Sequence, residues 1–252
     1  MATLFGFGDS FTAGHFQDKT FQPYQQWKEY RGGNLPPIWI DLLGDKLNME
    51  VINHGHGGNS NQEIFETVCT NCHLFKPNDI VIINWTEITR FRWVCKGNFR
   101  ASEGIYDVEY WRRIQVSSYD EGCIEKNTKN DIIENKTGQL YVEEIYNYEK
   151  IIDQLSKSIG FSVFYWSGDS NIIYSLPPEK LQQKKYIINH LIIEKDPIFF
   201  ADVGGTFFKT IRKYGGMIVK EETNGNCTDT HLGESGHRVQ YELFYDYIIK
   251  NN

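Results

Sequence analysis

Two short stretches near opposite ends of the sequence carry the residue types that acyl transfer needs. Gly8-Asp9-Ser10-Phe11 directly follows the apolar run 3–7. A serine placed where a strand gives way to a helix has its hydroxyl at the sheet edge and its backbone N–H turned toward a developing oxyanion. Near the other end stand Asp229-Thr230-His231-Leu232 and then Gly236-His237. A serine hydroxyl needs a base, and a histidine with its own carboxylate two residues upstream can serve, the carboxylate holding the imidazole tautomer. Between them lie two further blocks. Asn53-His54-Gly55-His56-Gly57-Gly58-Asn59-Ser60 is glycine-rich, which lets the backbone approach a ligand closely. Asn84-Trp85-Thr86-Glu87 ends a strongly apolar run.

Such pieces work only if a fold brings them together, and the pattern between them predicts one. Strands are expected at 3–8, 50–53, 80–84 and 161–166, with a short one at 217–219. Helices are expected at 38–47, 61–75, 141–159, 180–193 and 234–250. The stretch before residue 38, with Tyr24, Trp27, Tyr30 and Pro36-Pro37, reads as a loop. Strands alternating with helices imply an α/β fold with a parallel sheet covered on both faces. The segment from about 91 to 138 breaks this rhythm: polar, aromatic and weakly periodic, it reads as an insertion after the third strand. Loops at the carboxyl ends of parallel strands form the ligand crevice. The insertion is therefore either a cap over the site or a surface excursion that never meets substrate.

The bulk properties narrow the class. The 252 residues, 40% hydrophobic and 23% charged, suit one globular domain spanning 1–252. A net charge of -7 argues against nucleic acid as the main partner. No apolar run is long enough for a membrane span. Met1-Ala2-Thr3-Leu4 offers no basic leader, so no signal peptide is expected and the protein is expected in the cytoplasm or in an assembly exported by another route. The sequons at Asn84, Asn135 and Asn226 are then chance matches. Five cysteines do not make a disulfide framework. Cys69-Thr70-Asn71-Cys72-His73 matches a haem-attachment or redox pattern, but without export it reads as one face of a buried helix. His54, His56, His73 and His190 lack zinc spacing. No metal or cofactor is expected, and no oligomeric state is indicated.

Taken in order, the four blocks resemble those of the GDSL or SGNH hydrolase family, whose members are esterases, lipases, thioesterases and carbohydrate deacetylases on a flavodoxin-like, three-layer α/β/α fold. The resemblance spans both ends and most of the core, but not residues 91–140. It implies that Ser10 is the nucleophile, that His231 rather than His237 is the base with Asp229 as its partner, and that Gly58 joins the Ser10 N–H in the oxyanion hole. Two departures stand out. The family's third block is Gly-x-Asn-Asp, so Thr86 stands where its oxyanion asparagine would be, with Arg90 or Arg92 as substitute donors. The chain has Asp-x-His in place of Asp-x-x-His. Asp9, Asn59, Asn84, Trp85, Arg90 and Trp93 are then expected to line the substrate site.

The implied reaction is hydrolysis of an ester by a Ser-His-Asp triad. Phe91, Trp93, Tyr106, Tyr110 and Trp111 are suited to stacking on sugar rings, and the insertion has few aliphatic residues for a long acyl chain. The expected substrate is thus a small ester or an acetylated carbohydrate. Two other classes stay open: an O-acyltransferase on the same fold, and a module that binds without catalysis.

Overall fold

The computed structural model describes residues 2–14, 22–86, 90–101, 104–115, 138–167 and 210–251. Its centre is a parallel sheet built from β1 (Thr3–Gly8), β2 (Glu50–Gly55) and β3 (Ile80–Trp85), completed by a strand at Ser162–Ser167. Two strands precede the last one in the chain, β4 (Arg90–Ala101) and β5 (Gly104–Gln115), so the fourth sheet strand is β6. The order is β2-β1-β3-β6, all parallel. Phe5 lies in register with Ile52 on one side and Val81 on the other, and Val81 with Val163. This is the flavodoxin-like, doubly wound order, in which the ligand crevice lies beyond the strand ends where the winding reverses, between the first and third strands.

The α-helices named among the described residues are α1 (Ser10–Ala13), α2 (Gln22–Tyr30), α3 (Trp39–Leu47), α4 (Asn61–Asn71), α5 (Gly138–Ile159), α6 (Val219–Glu222) and α7 (Glu234–Asn251). Successive strand residues point to opposite faces, and the core divides accordingly. Leu4, Ile80, Ile82, Phe164 and Trp166 pack with Trp39, Ile40 and Leu43 of α3 and Phe244 and Ile248 of α7. Phe5, Phe7, Val81, Ile83, Val163 and Tyr165 pack with Ile64 and Val68 of α4 and Ile145 and Ile152 of α5. Helices thus cover both faces, giving three layers. Gly6 has no side chain because a Cβ there would collide with the Ile40 side chain across the α3 interface. The N-terminus of α4 is set by a capping box in which Ser60 and Glu63 bond reciprocally.

Three expectations need correction. The stretch before residue 38 is not all loop: Pro23 sits in the first turn of α2, where its missing N–H costs nothing, and Trp27 is buried against Val219 and Cys227. There is no strand at 217–219: Ile218 makes one antiparallel bridge to Leu232 and the chain turns at once into α6. Residues 90–115 are not weakly periodic. Arg90–Ala101 and Gly104–Gln115 form an antiparallel ribbon paired from Arg90↔Gln115 to Ala101↔Gly104, in a sheet of its own. The expected helix at 180–193 lies outside the described residues.

Candidate active site

β1 ends at Gly8, and Asp9 caps α1, its carboxylate accepting the Phe11 N–H at 3.0 Å. Ser10 is the first residue of that helix. An N–H in the first turn has no partner inside its own helix, so the backbone donor of Ser10 is one that a ligand can use. The loop after β2 folds onto this turn. Asn59 donates its amide to the Gly8 carbonyl at 3.1 Å, and the His56 N–H reaches the same oxygen at 3.0 Å. Asn53 donates to the Thr12 carbonyl at 2.9 Å and accepts the Gly55 N–H at 2.8 Å. Gly57 is so close to the serine that a Cβ there would lie 3.9 Å from Ser10 Cβ. Gly58 follows at φ +78°, a left-handed conformation that orients its N–H and that favours glycine.

The chain between α6 and α7 supplies the other half. Asp229 Oδ1 accepts the His231 backbone N–H at 2.9 Å and lies 2.7 Å from His231 Nδ1. The carboxylate is 7% exposed and the imidazole 18%, so the pair is largely withdrawn from water. α6 holds the segment by its backbone, with the Val219 N–H donating to His231 O and the Lys220 N–H to Asp229 O. The imidazole lies against α1: its ring centroid is 5.1 Å from that of Phe11, the residue next to Ser10. Phe11 is fixed in turn by Trp39, whose indole N–H donates to the Phe11 carbonyl at 3.0 Å. His237, by contrast, is 1% exposed within α7. Of the two candidate bases, only His231 is shown with an Asp partner and packed beside the serine turn.

The third block behaves differently from expectation. Asn84 donates its amide to Asp9 Oδ1 at 2.7 Å, and Thr86 donates its hydroxyl to Asp9 Oδ2 at 2.8 Å. Asn84 and Thr86, two apart at the end of one strand, share a face as their spacing requires. A hydroxyl has one proton, and that of Thr86 goes to Asp9. In this arrangement Thr86 is a brace for the serine turn and not a donor to an oxyanion. Asp9 and Asn84 are buried in the same network, so they position the turn and do not line a substrate surface. Trp85 also departs from expectation: it is buried in the core and its indole donates to Glu149 at 3.0 Å. Asn59 works inward, on Gly8. Arg90 and Trp93 occupy β4, where the structure gives their register positions. Sequence reasoning missed Asn61, whose side chain clamps the Thr86 backbone with two bonds, Nδ2 to O at 3.0 Å and Thr86 N to Oδ1 at 2.8 Å. Nothing local to Asn61 signals a partner just beyond the end of β3.

Among the described residues no three His, Cys, Asp or Glu side chains converge as a metal site, and no helix is long and apolar enough to cross a membrane. The fold and site together define a doubly wound α/β protein with a serine turn and an Asp–His pair at its topological switch point. No family model and no curated protein matches the chain. Among solved structures, it is similar to a lipolytic protein of the G-D-S-L family from Desulfitobacterium hafniense DCB-2, at 12% identity over 98% of this chain and 99% of that one, with a TM-score of 0.47. A member of the lipolytic protein G-D-S-L family from Veillonella parvula DSM 2008 is similar at 13% identity over 98% and 97%, with a TM-score of 0.43. The fold assignment rests on the strand order itself.

Proposed function

We propose that the chain is a serine ester hydrolase that removes a small acyl group, acetyl above all, from a carbohydrate. The observation that carries this reading is the 2.7 Å Asp229–His231 pair packed against the short helix that Ser10 begins. With Asp229 on Nδ1, Nε2 is the nitrogen that takes a proton. His231 removes the Ser10 hydroxyl proton as the oxygen attacks the ester carbonyl, and Asp229 stabilises the imidazolium that forms. The N–H groups of Ser10 and Gly58 receive the oxyanion. Collapse expels the alcohol, protonated by His231, and water activated by the same residue releases the acid. Asp9 is the positioning residue: it caps α1 and ties the end of β3 to it.

A second reading has its own support. With the Thr86 hydroxyl engaged by Asp9, the hole has one donor fewer, and losing one donor costs about 2.7–4 kcal/mol in well-studied cases. That favours a slow enzyme or a binding module. A fluorophosphonate probe separates these outcomes. Labelling of the wild type and not of Ser10→Ala, together with turnover of an aryl acetate, is the expected result. No labelling and no turnover would leave the binding module.

A further inference from the structure

A cleft of about 550 Å³ is lined by residues of α2 and its C-terminal turn, of the turn before α6, and of α6 and α7, and by none of the serine turn or the Asp229–His231 pair. That size lies within the range of small-molecule sites, roughly 300–1,000 Å³. Six large hydrophobic side chains stay exposed among the described residues, and three of them, Tyr30, Tyr214 and Met217, stand in this one cleft. Scattered singly, exposed apolar groups need no explanation; gathered in a concavity they mark a binding surface. Tyr30 is also held in place before any ligand arrives. Its ring stacks on the buried Trp27 with centroids 5.8 Å apart, and its hydroxyl donates to the Glu222 carbonyl at 3.3 Å. A tyrosine fixed in this way offers a flat apolar surface at little entropic cost.

The polar groups decide what kind of ligand fits. Arg31 and Arg238 both pair with Glu234, at 2.7 and 3.6 Å, and the Arg238 side chain stays 64% exposed, so its donors remain open to a ligand. Glu222 accepts the first N–H groups of α7, from Glu234 at 2.9 Å and from Ser235 at 2.6 Å. The helix terminus that would attract an anion is therefore taken by a carboxylate of the protein itself. With Glu242, the lining has three carboxylates against two guanidinium groups, which turns an anionic ligand away. A long acyl chain fits no better, because Met217 and Val239 are the only aliphatic side chains of the lining. The chemistry that matches is a neutral molecule with an apolar face for the tyrosines and with hydroxyls that donate to carboxylates and accept from guanidinium N–H groups. A sugar ring has both.

We infer that this cleft is a saccharide-binding site separate from the Ser10 turn, taking a neutral sugar unit of an oligosaccharide on Tyr30 and Tyr214. Glu234, Arg238 and Glu242, spaced four apart along α7, meet its hydroxyls. The inference does not depend on Ser10 being active. Glu234 follows His231 by three residues and lies within about 11 Å of it along the chain, so the cleft borders the segment that carries the candidate base.

The test is calorimetry with xylo-, cello- and N-acetylglucosamine oligomers, none of them an ester substrate. Saturable binding of at least one is expected, with little change as salt is raised, because no net charge is matched. Tyr214→Ala removes an exposed ring, so it should leave Tm unchanged and weaken that binding roughly tenfold. Ser10→Ala should bind as the wild type does. No saturable binding of any of the three oligomers would overturn the site, as would unchanged affinity in Tyr214→Ala. Binding lost in Ser10→Ala and kept in Tyr214→Ala would move the sugar to the candidate active site. Tighter binding of an oligogalacturonate or of palmitate would overturn the ligand class. A dimer in sedimentation that Tyr214→Ala dissolves would give the cleft to a second copy of the chain. Aryl-acetate turnover on the same samples keeps the two readings apart. Sugar binding by a protein without turnover sinks the hydrolase and leaves the cleft, and turnover without sugar binding sinks the cleft alone.

Discussion

The two halves of the candidate site are built in opposite ways. Asp229 and His231 are two residues apart, and one carboxylate oxygen serves both the backbone and the ring of the histidine. The serine turn is instead braced from afar: Asp9 receives Asn84 and Thr86 across 75 and 77 residues of chain, and Asn59 reaches Gly8 across 51. The first half is a local device that needs only its own loop and α6 behind it. The second exists only once the sheet has formed. A substitution in the first half should therefore act on chemistry with little cost to the fold, and one that removes a long-range brace of the second should act on both.

The largest effects test whether the halves meet. Ser10→Ala should lower aryl-ester turnover by about 10³-fold or more with an unchanged melting curve. Retention of a tenth of wild-type turnover would remove Ser10 from the mechanism. His231→Ala should match that loss. His237→Ala, in the interior of α7, should lower Tm and spare kcat in whatever fraction stays folded. The reverse pattern would exchange the roles of the two histidines. Asp229→Asn should be severe, up to about 10⁴-fold in kcat, because an amide facing Nδ1 favours the wrong tautomer.

The next prediction sharpens the contrast. Thr86→Val keeps the shape and removes the hydroxyl, leaving a buried carboxylate oxygen short of a donor. Stability should fall by about 1–3 kcal/mol, with kcat reduced alongside. A tenfold loss in kcat at unchanged Tm would make Thr86 an oxyanion donor after all. The smallest effect concerns His54, stacked on Phe7 at 4.9 Å, where burial lowers its pKa below the ordinary value. The unfolded chain then binds a proton more readily than the folded one. The contribution from neutral His54 is fully present above the unfolded value, near pH 6.5, and is lost as pH falls toward the depressed folded one. His54→Phe should flatten that part of the Tm–pH curve. An identical slope in the variant would assign it to other groups.

The same contrast explains what could be read beforehand. The parallel sheet was legible because 80–83 and 163–166 are continuous apolar runs, the signature of strands buried on both faces. The Asp–His pair was legible because it is local. The role of Asp9, expected to line the substrate site, was not, since its local sequence gives no hint that its second oxygen has a partner just beyond β3. Reading Thr86 as an oxyanion donor followed from block order, and only tertiary geometry shows where its proton goes. The ribbon was missed for another reason. β4 opens on alternating basic and aromatic residues, Arg90-Phe91-Arg92-Trp93, and β5 mixes aromatics with both signs of charge, so neither strand shows a clean apolar–polar period of two. α2 was missed because Pro23 and the aromatics around it carry turn-like composition, although a proline in the first turn is compatible with a helix.

The packing of α7 has a consequence for how the protein is made. Phe244 and Ile248 complete one wall of the core over Leu4, Trp39, Phe164 and Trp166, and the segment that precedes this helix carries His231, the proposed base. During synthesis a nascent chain can lay down all four sheet strands while that wall is still missing. It would expose a broad aromatic surface and lack His231, the base of the proposed mechanism. If the proposed mechanism holds, ester-cleaving capacity therefore arrives only with 229–251, and any chaperone dependence should end at the same moment. Stalled ribosome-bound chains ending before and after 229–251 should switch together from chaperone-bound and silent to released and reactive.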